Sequence, residues 1–448
     1  MKVFGLIAKT HLNSVVRLIT GLVILIIGIF LVVEQEFILV TIIYLVSVIM
    51  IFMGILFLVD WIIKVPRIEI KLLYSIITIS LGVLMFCYVF VPSFVVTFLF
   101  GIYLMFCAFV EFIDSYISFK NKTHNSLKSL LIGIFYFIFS FLLTTMTYMY
   151  KYATFIIIGI YCILFGGTYV LDFLYSTFPK KTKSRISKRK KKIKRHFRIT
   201  MPNFISAFIP NSMAKQFNDF LASDKNQKYT FVNNLNKNEN EKADLKIYFH
   251  ISERGFNAIG HCDIEFEGEI ISYGNYDETN QNKLGMGPGV LLISNPEKYI
   301  SFRLKFNKLT IFSFGLRLNE EQKQKVRERI KEIKAQTYFW DPPYLSSLKK
   351  NKKSKIKSFR DFSSLLYYAT GANFYKFKQG EFKTYFVMTK NCVSLVESIV
   401  CKAGTDILSI NDIISPGTFY DYLQTEYLRK DSIVISRNIY NFNANKKN

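Results

Sequence analysis

Apolar and polar positions divide this chain into two halves with different periods. From about residue 12 to 176 apolar residues run almost unbroken, in stretches at 14–33, 38–62, 70–91, 94–118, 128–149 and 154–176. Each reaches the ~20 residues a helix needs to cross ~30 Å of hydrocarbon. Backbone amides find no water there, so these stretches predict six membrane-spanning helices. Beyond residue 244 the two-residue alternation of half-buried strands takes over. LKIYFHI, IGHCDIEFEG and EIISYGNYD read as successive strands, followed by others at 289–294, 299–306, 308–317 and 382–388. In HCDIEFEG, His261, Asp263, Glu265 and Glu267 share one face, with Ile264 and Phe266 on the other.

Two helices interrupt the strands. One spans 320–335, with Asn319 as its cap, Glu320 and Glu321 in its first turn, and an apolar stripe of Val326, Ile330 and Ile333. The other spans 391–404, burying Val393, Leu395, Val396, Ile399 and Val400 and ending at Gly404. Residues 203–222 read as a short amphipathic segment and 223–243 as a polar loop. GMGPG at 285–289 has no helix start behind it to hold a phosphate and reads as a turn. PGTFYDYL at 416–423 reads as a loop-to-helix junction, its aromatic residues packing or lining a cleft.

Charge orients the apolar half. Lys64, Arg67, Lys71, Lys120, Lys122 and Lys128 follow the second and fourth stretches, whereas the links after the first and third carry Glu34 and Glu36 or no charge. Positive-inside counting predicts a multi-pass protein of the cell membrane with both termini cytoplasmic. An internal repeat supports the count. Asp60, Asp114 and Asp172 close the even stretches at spacings of 54 and 58, and Gly28, Gly82 and Ser140 share those spacings. Three helical hairpins, packed through small residues, are the expected arrangement. The aspartates read as caps at helix ends, with an ion site as the alternative.

On these features residues 12–176 resemble the HdeD-type membrane proteins linked to acid resistance, which also have three hairpins with Gly-Ile-rich cores. The resemblance implies no catalytic residues.

The net charge of +25, in a chain whose residues are 50% hydrophobic, is concentrated outside the apolar half. Residues 180–198 hold twelve lysines and arginines and no acid. Beside a membrane helix such a run attracts anionic headgroups, so membrane lipids are the expected partner. A second run at 349–360 suits the same surface. No groove-reading or aromatic-interleaved motif accompanies either run, so no nucleic acid is expected. A homo-oligomer through the membrane domain is a further partner expectation. The six cysteines have no zinc-like or disulfide spacing, and no metal or other cofactor is expected.

Cys392 is the residue that carries chemistry. It opens the 391–404 helix just after a strand and turn, where helix-start amides favour a thiolate. A thiolate nucleophile needs a base in reach and a third group to orient that base. His261, opening an amphipathic strand after a glycine, suits the role of base. His250 and Cys262 read as structural, with Cys262 turned into the core, and Cys401 reads as a buried small hydrophobe.

GHCDIEFEGEIISYG followed much later by NCVSLVESIV resembles the circularly permuted papain-like fold of the NlpC superfamily, in particular the lecithin:retinol acyltransferase and H-Rev group. The resemblance covers residues 244–425, with an insertion at 300–385. It implies Cys392 as nucleophile, His261 as general base and a third polar residue on the next strand. Ser272 or Tyr273 stands there where relatives have histidine, with Asn275 and Asp277 nearby. Val393 and Ser394 replace the acid-histidine pair that follows the cysteine in the acyltransferases.

The expected architecture is an all-α six-helix transmembrane domain at 1–178, a basic juxtamembrane linker at 179–243, an α+β domain of permuted papain-like type at 244–430, and a polar tail. The expected function is a membrane-anchored cytoplasmic cysteine hydrolase or acyltransferase acting on an amide, ester or thioester. The alternatives are an inactive papain-like binding or sensing module, or an acid-stress or transport membrane protein with a regulatory soluble domain.

Overall fold

The computed structural model describes residues 2–63, 69–88, 90–123, 126–177, 231–236, 242–251, 260–282, 285–307, 310–343, 345–346, 361–403, 416–428 and 432–441. Both basic runs and the 203–222 segment lie outside them. By contacts the chain divides into Met1–Ile113 with Leu127–Phe173, and Asp114–Ser126 with Leu174–Asn448.

The apolar half is helical, in the elements α1 (Lys2–Val33), α2 (Gln35–Ile63), α3 (Glu69–Cys87), α4 (Phe90–Lys120), α5 (Ser126–Thr145) and α6 (Thr147–Thr177). Among the described residues Ile43–Ile63, Thr97–Lys120, Ser126–Thr145 and Tyr152–Leu171 are long and apolar enough to cross a membrane, and Leu18–Val33 and Leu72–Cys87 are apolar over shorter lengths. Phe52, Leu99, Phe135 and Phe141 face outward. An apolar surface of this extent suits hydrocarbon rather than water.

The repeat fixes how these helices touch. A Cβ on Gly82 in α3 would stand 3.0 Å from the carbonyl oxygen of Ser47 in α2. Ser140 in α5 donates to the Gly101 carbonyl in α4 at 2.9 Å. A Cβ on Gly28 in α1 would stand 2.8 Å from the Gly159 carbonyl in α6. Ser47, Gly101 and Gly159 are themselves spaced by 54 and 58 residues. One close contact is therefore made three times, each odd helix meeting the even helix before it, and α1 meeting α6. A second layer lies seven residues along, where Ser75 donates to the Gly54 carbonyl at 2.8 Å. Gly21 and Gly166 approach closely in the same way. Small residues at these positions let backbones meet where larger side chains would hold them apart.

The second unit is built on one antiparallel sheet. Its strands are β1 (Phe231–Asn236), β2 (Leu245–Ile251), β3 (His261–Phe266), β4 (Glu269–Gly274), β6 (Val290–Ser294), β7 (Thr310–Leu316), β8 (Thr337–Phe339), β9 (Asn373–Phe377) and β11 (Val434–Asn441). Among the described residues their order is β1-β11-β7-β2-β3-β4-β6-β9-β8. The short strands β5 (Met286–Pro288) and β10 (Thr384–Phe386) pair separately. Glu267 and Gly268, at φ 50° and 79°, form the two-residue turn between β3 and β4. Two successive residues with positive φ match the twist of a tight hairpin, and this fixes the strand register.

Among the described residues five helices cover the sheet: α7 (Pro296–Asn307), α8 (Glu320–Ala335), α9 (Phe362–Thr370), α10 (Cys392–Val400) and α11 (Pro416–Leu428). Ile247, Phe249, Ile264, Ile271 and Phe314 form one core with residues of α8, α10 and α11. Tyr248, Ile270, Leu292 and Phe374 form the other with Tyr299 and Leu304 of α7 and Leu366 of α9. Asn319 caps α8 as expected, and does so through reciprocal bonds with Gln322. Phe419, Tyr420 and Tyr422 of α11 are core residues.

Three local expectations are corrected. The 299–306 segment is helix, not strand. Its apolar residues alternate from Ile300 to Phe306, but Asn295 Oδ1 accepts from Lys298 N at 3.2 Å, and Pro296 stands at the first helical position. That start presets helical backbone and overrides the alternation. Strand β1 falls within the expected polar loop, because its ladder comes from β11, some 200 residues away. Cys401 lies half-buried in the short turn after α10 rather than in the core.

Candidate active site

Asn391 sets the start of α10. Its backbone is extended, and Oδ1 accepts from Val393 N at 3.0 Å and Ser394 N at 3.1 Å. Nδ2 donates back to the Val387 carbonyl at 2.9 Å, which ties the helix start to the preceding loop. Cys392, the first helical residue, is thereby fixed with its side chain 3% exposed. In the same unit, Asp114 Oδ1 accepts from Thr389 Oγ1 at 2.8 Å and lies 3.6 Å from Lys390 Nζ, partners close to the cysteine in sequence.

His261 enters from the sheet. Gly260, at φ +90°, turns the chain into β3, and a Cβ there would also press on Pro416 at 3.3 Å. Cys392 stands close enough to the imidazole to interact with it electrostatically. Its Nε2 lies 2.9 Å from Asp263 Oδ1 and 2.9 Å from Ser272 Oγ. Nδ1 is then the nitrogen left available to the thiol.

Asp263 is the residue that sequence reasoning did not assign. It is fully buried, two positions beyond His261 on the same strand face. Besides His261 it meets His250 Nε2 at 2.7 Å through Oδ2, and Tyr299 OH donates to that same oxygen at 2.9 Å. The signal was available: in HCDIEFEG the acid shares the face of His261, two residues away. His250 is opposite His261 in the β2–β3 register, so both imidazoles reach one carboxylate.

The two next-strand candidates separate. Ser272, paired with Asp263 across β3 and β4, touches His261 and is in hydrogen-bond contact with Tyr276 OH at 2.7 Å. Tyr273 points to the opposite face and donates to the Phe382 carbonyl at 3.0 Å. Asp277 pairs with Lys376 at 2.6 Å, and Asn275 packs on Gly287. Neither of the latter two contacts His261. Cys262 is buried in the core.

The charges follow from these contacts. Burial works against charge on His261, but Asp263 and Cys392 beside it hold the imidazole well above its ordinary value. Burial alone would raise Asp263, yet His261 and His250 keep it well below the usual carboxylate range. His250 is pushed down to about 4 by burial, outweighing the pull of Asp263. At neutral pH the carboxylate is thus ionised and His250 is neutral, while the same carboxylate favours the charged form of His261. Such an arrangement can hold a proton next to a sulfur and keep the ring oriented.

A cavity of about 500 Å³ is lined by Lys246, Tyr248, Glu265, Ile300, Leu304 and Tyr440 among others; none of Cys392, His261 and Asp263 lines it. Among the described residues no group of three or more histidine, cysteine or acidic side chains is arranged to hold a metal ion.

Residues 73–145 match a family model described as a short repeat of unknown function, DUF308, the HdeD-like membrane family. The match and the apolar helices identify the N-terminal half as membrane-associated and agree with the resemblance drawn from the sequence. No curated protein and no solved structure matches the chain.

Proposed function

We propose that this protein is a membrane-anchored thiol hydrolase or acyltransferase whose catalytic centre is Cys392, His261 and Asp263. One observation carries the reading: the imidazole beside Cys392 is held by a buried carboxylate 2.9 Å from its Nε2. The Cys392 sulfur would attack the carbonyl carbon of an amide, ester or thioester, forming a C–S bond and a tetrahedral oxyanion. Collapse of that intermediate breaks the bond to the leaving group, which takes the proton from His261. Water or an acceptor alcohol or amine then gives its proton to His261 and releases the acyl group from sulfur. Asp263 keeps the ring oriented and stabilises its charged form, as a buried acid does in other nucleophile–imidazole pairs. His261, with 21% of its side chain exposed, provides the open side of the site.

In this reading six spans with both ends inside make the first half an anchor. The permuted papain-like domain then faces a reducing compartment in which a free thiol persists. The basic run at 180–198 would hold anionic headgroups, and the membrane domain could pair with a second copy.

The test is acyl transfer from p-nitrophenyl acetate by the full chain in detergent micelles, with intact-mass detection of an acetylated enzyme. Acetylation should map to Cys392, vanish in Cys392→Ser and slow by about 10²-fold or more in His261→Ala. Acetylation of other residues only, or an unchanged rate in His261→Ala, overturns the proposal.

A further inference from the structure

Helix α7 brings a second charged group to the same centre. Tyr299 and Arg303 are four residues apart and share one helix side. Tyr299 OH donates to Asp263 Oδ2 at 2.9 Å, which fixes that side against the catalytic carboxylate. The Arg303 guanidinium lies over the Tyr299 ring at 5.9 Å and over the Phe362 ring at 5.7 Å. Its Nε is buried without a hydrogen-bond partner, and among the described residues no carboxylate pairs with it. Asp263 is not that partner: its close contacts are with His250, His261 and Tyr299.

Arg303 is half-buried, and a guanidinium partly withdrawn from water without an ion pair is costly to maintain. Burial works against its charge, yet Tyr299, Tyr276, Asp263 and Cys392 all face it and hold it above the usual arginine value. Arg303 therefore belongs electrostatically to the cluster around the thiol, with its partner position open. Its planar fork is suited to binding a carboxylate or phosphate through two parallel bonds.

We infer that Arg303 receives an anionic oxygen group of the substrate, so that the acyl compound cleaved at Cys392 carries a carboxylate or phosphate close to its scissile carbonyl. The inference rests on Cys392 being the nucleophile and adds the substrate class. Arg303 is the specificity residue. The Tyr299 and Phe362 rings cover part of the guanidinium, which strengthens an anion contact relative to one at a fully exposed surface.

Alkylation with a charged and a neutral reagent tests this before any substrate is known. The full chain in micelles is treated with iodoacetate or iodoacetamide at pH 7, and each cysteine is followed by peptide mass spectrometry. The rate ratio of iodoacetate to iodoacetamide at Cys392 should exceed that of N-acetylcysteine by about tenfold, the effect of one charge-assisted contact. Arg303→Met should return the ratio to that of the free thiol, and Arg303→Lys should retain part of it. Any effect of Arg303 on the thiol itself alters both rates equally and cancels in the ratio. Inorganic phosphate and phosphatidylglycerol vesicles, with phosphatidylcholine vesicles as control, then compete against iodoacetate. Protection by phosphate supports a soluble anion, and protection by phosphatidylglycerol alone supports a lipid headgroup. Protection by neither, or a ratio equal to that of the free thiol, overturns the inference. If Cys392 reacts with both reagents no faster than Cys401, the nucleophile assignment itself fails, and the two failures are distinguished.

Discussion

Replacing Asp263 by Asn keeps the shape of the side chain and removes its charge, which makes it the most direct probe of the buried cluster. The carboxylate meets His250 at 2.7 Å, His261 at 2.9 Å and Tyr299 at 2.9 Å. The amide oxygen can still accept from Tyr299, so the main loss is the ion pair with His261. Breaking a buried pair by neutralising one partner costs about 3–5 kcal/mol. The lower end applies here, because His261 can give up its proton once Asp263 no longer holds it. Asp263→Asn is therefore expected to destabilise the second unit by about 3 kcal/mol. It should also slow alkylation of Cys392, since the imidazole loses its orienting group. Asp263 has a folded value well below its unfolded ~3.9, so its contribution is present above about pH 4 and lost as pH falls through the folded value. His261 is raised, so its contribution is complete below ~6.5 and lost as pH rises through the folded value. The gap between wild type and variant should thus be widest from about pH 4 to 6.5. Guanidinium unfolding in micelles, followed by Trp340 fluorescence in a Trp61→Phe background, measures it. A difference below about 0.5 kcal/mol, the range of neutral surface changes, with unchanged alkylation would refute the reasoning.

Three further outcomes follow from the same structure. His250 is held neutral with a folded value of about 4 against ~6.5 unfolded, so stability should fall by about 3 kcal/mol as pH drops across that interval. In His250→Gln that part of the slope should disappear from unfolding midpoints measured against pH, and a retained slope rejects the assignment. Asn391→Ala removes both cap bonds of α10 and should cost about 1–2 kcal/mol in the same assay while lowering Cys392 alkylation, and a neutral result on both measures counts against a fixed helix start. Gly28→Leu, Gly82→Leu and Ser140→Leu should each lower the thermal midpoint of the membrane unit, by about 1–3 kcal/mol or more of overpacking. Because the three contacts are equivalent, tolerance at Gly28 alone would show that α1 does not close against α6.

Much of this protein was decided locally and could be read from the chain. The apolar stretches become helices, four of them among the described residues long and apolar enough to cross a membrane, where hydrocarbon leaves backbone amides no other partner. The hairpin at Glu267 and Gly268, the cap at Asn319 and the helix start at Asn391 depend on residues within four positions of one another. Cys392 and His261 could be singled out for the same reason, since a helix start and a strand after a glycine are local features. The repeat of 54 and 58 residues marked the small positions. What it left undetermined was their partners, because packing between helices is set by which surfaces meet: Gly28 against Gly159, not a neighbour in its own hairpin. Alternation misread 299–306, where the Asn295–Pro296 start outweighed it. Strand β1 went unseen because its hydrogen bonds come from β11. Asp263 stood in view two residues from His261, but only the sheet register, by bringing His250 across from β2, and α7, by bringing Tyr299 over it, made it the buried centre of the cluster. Arg303 is the clearest case. In sequence it is one basic residue among many, and only the fold buries its Nε near two rings, one of them the Tyr299 ring that holds Asp263, because burial and charge pairing are properties of the assembled chain.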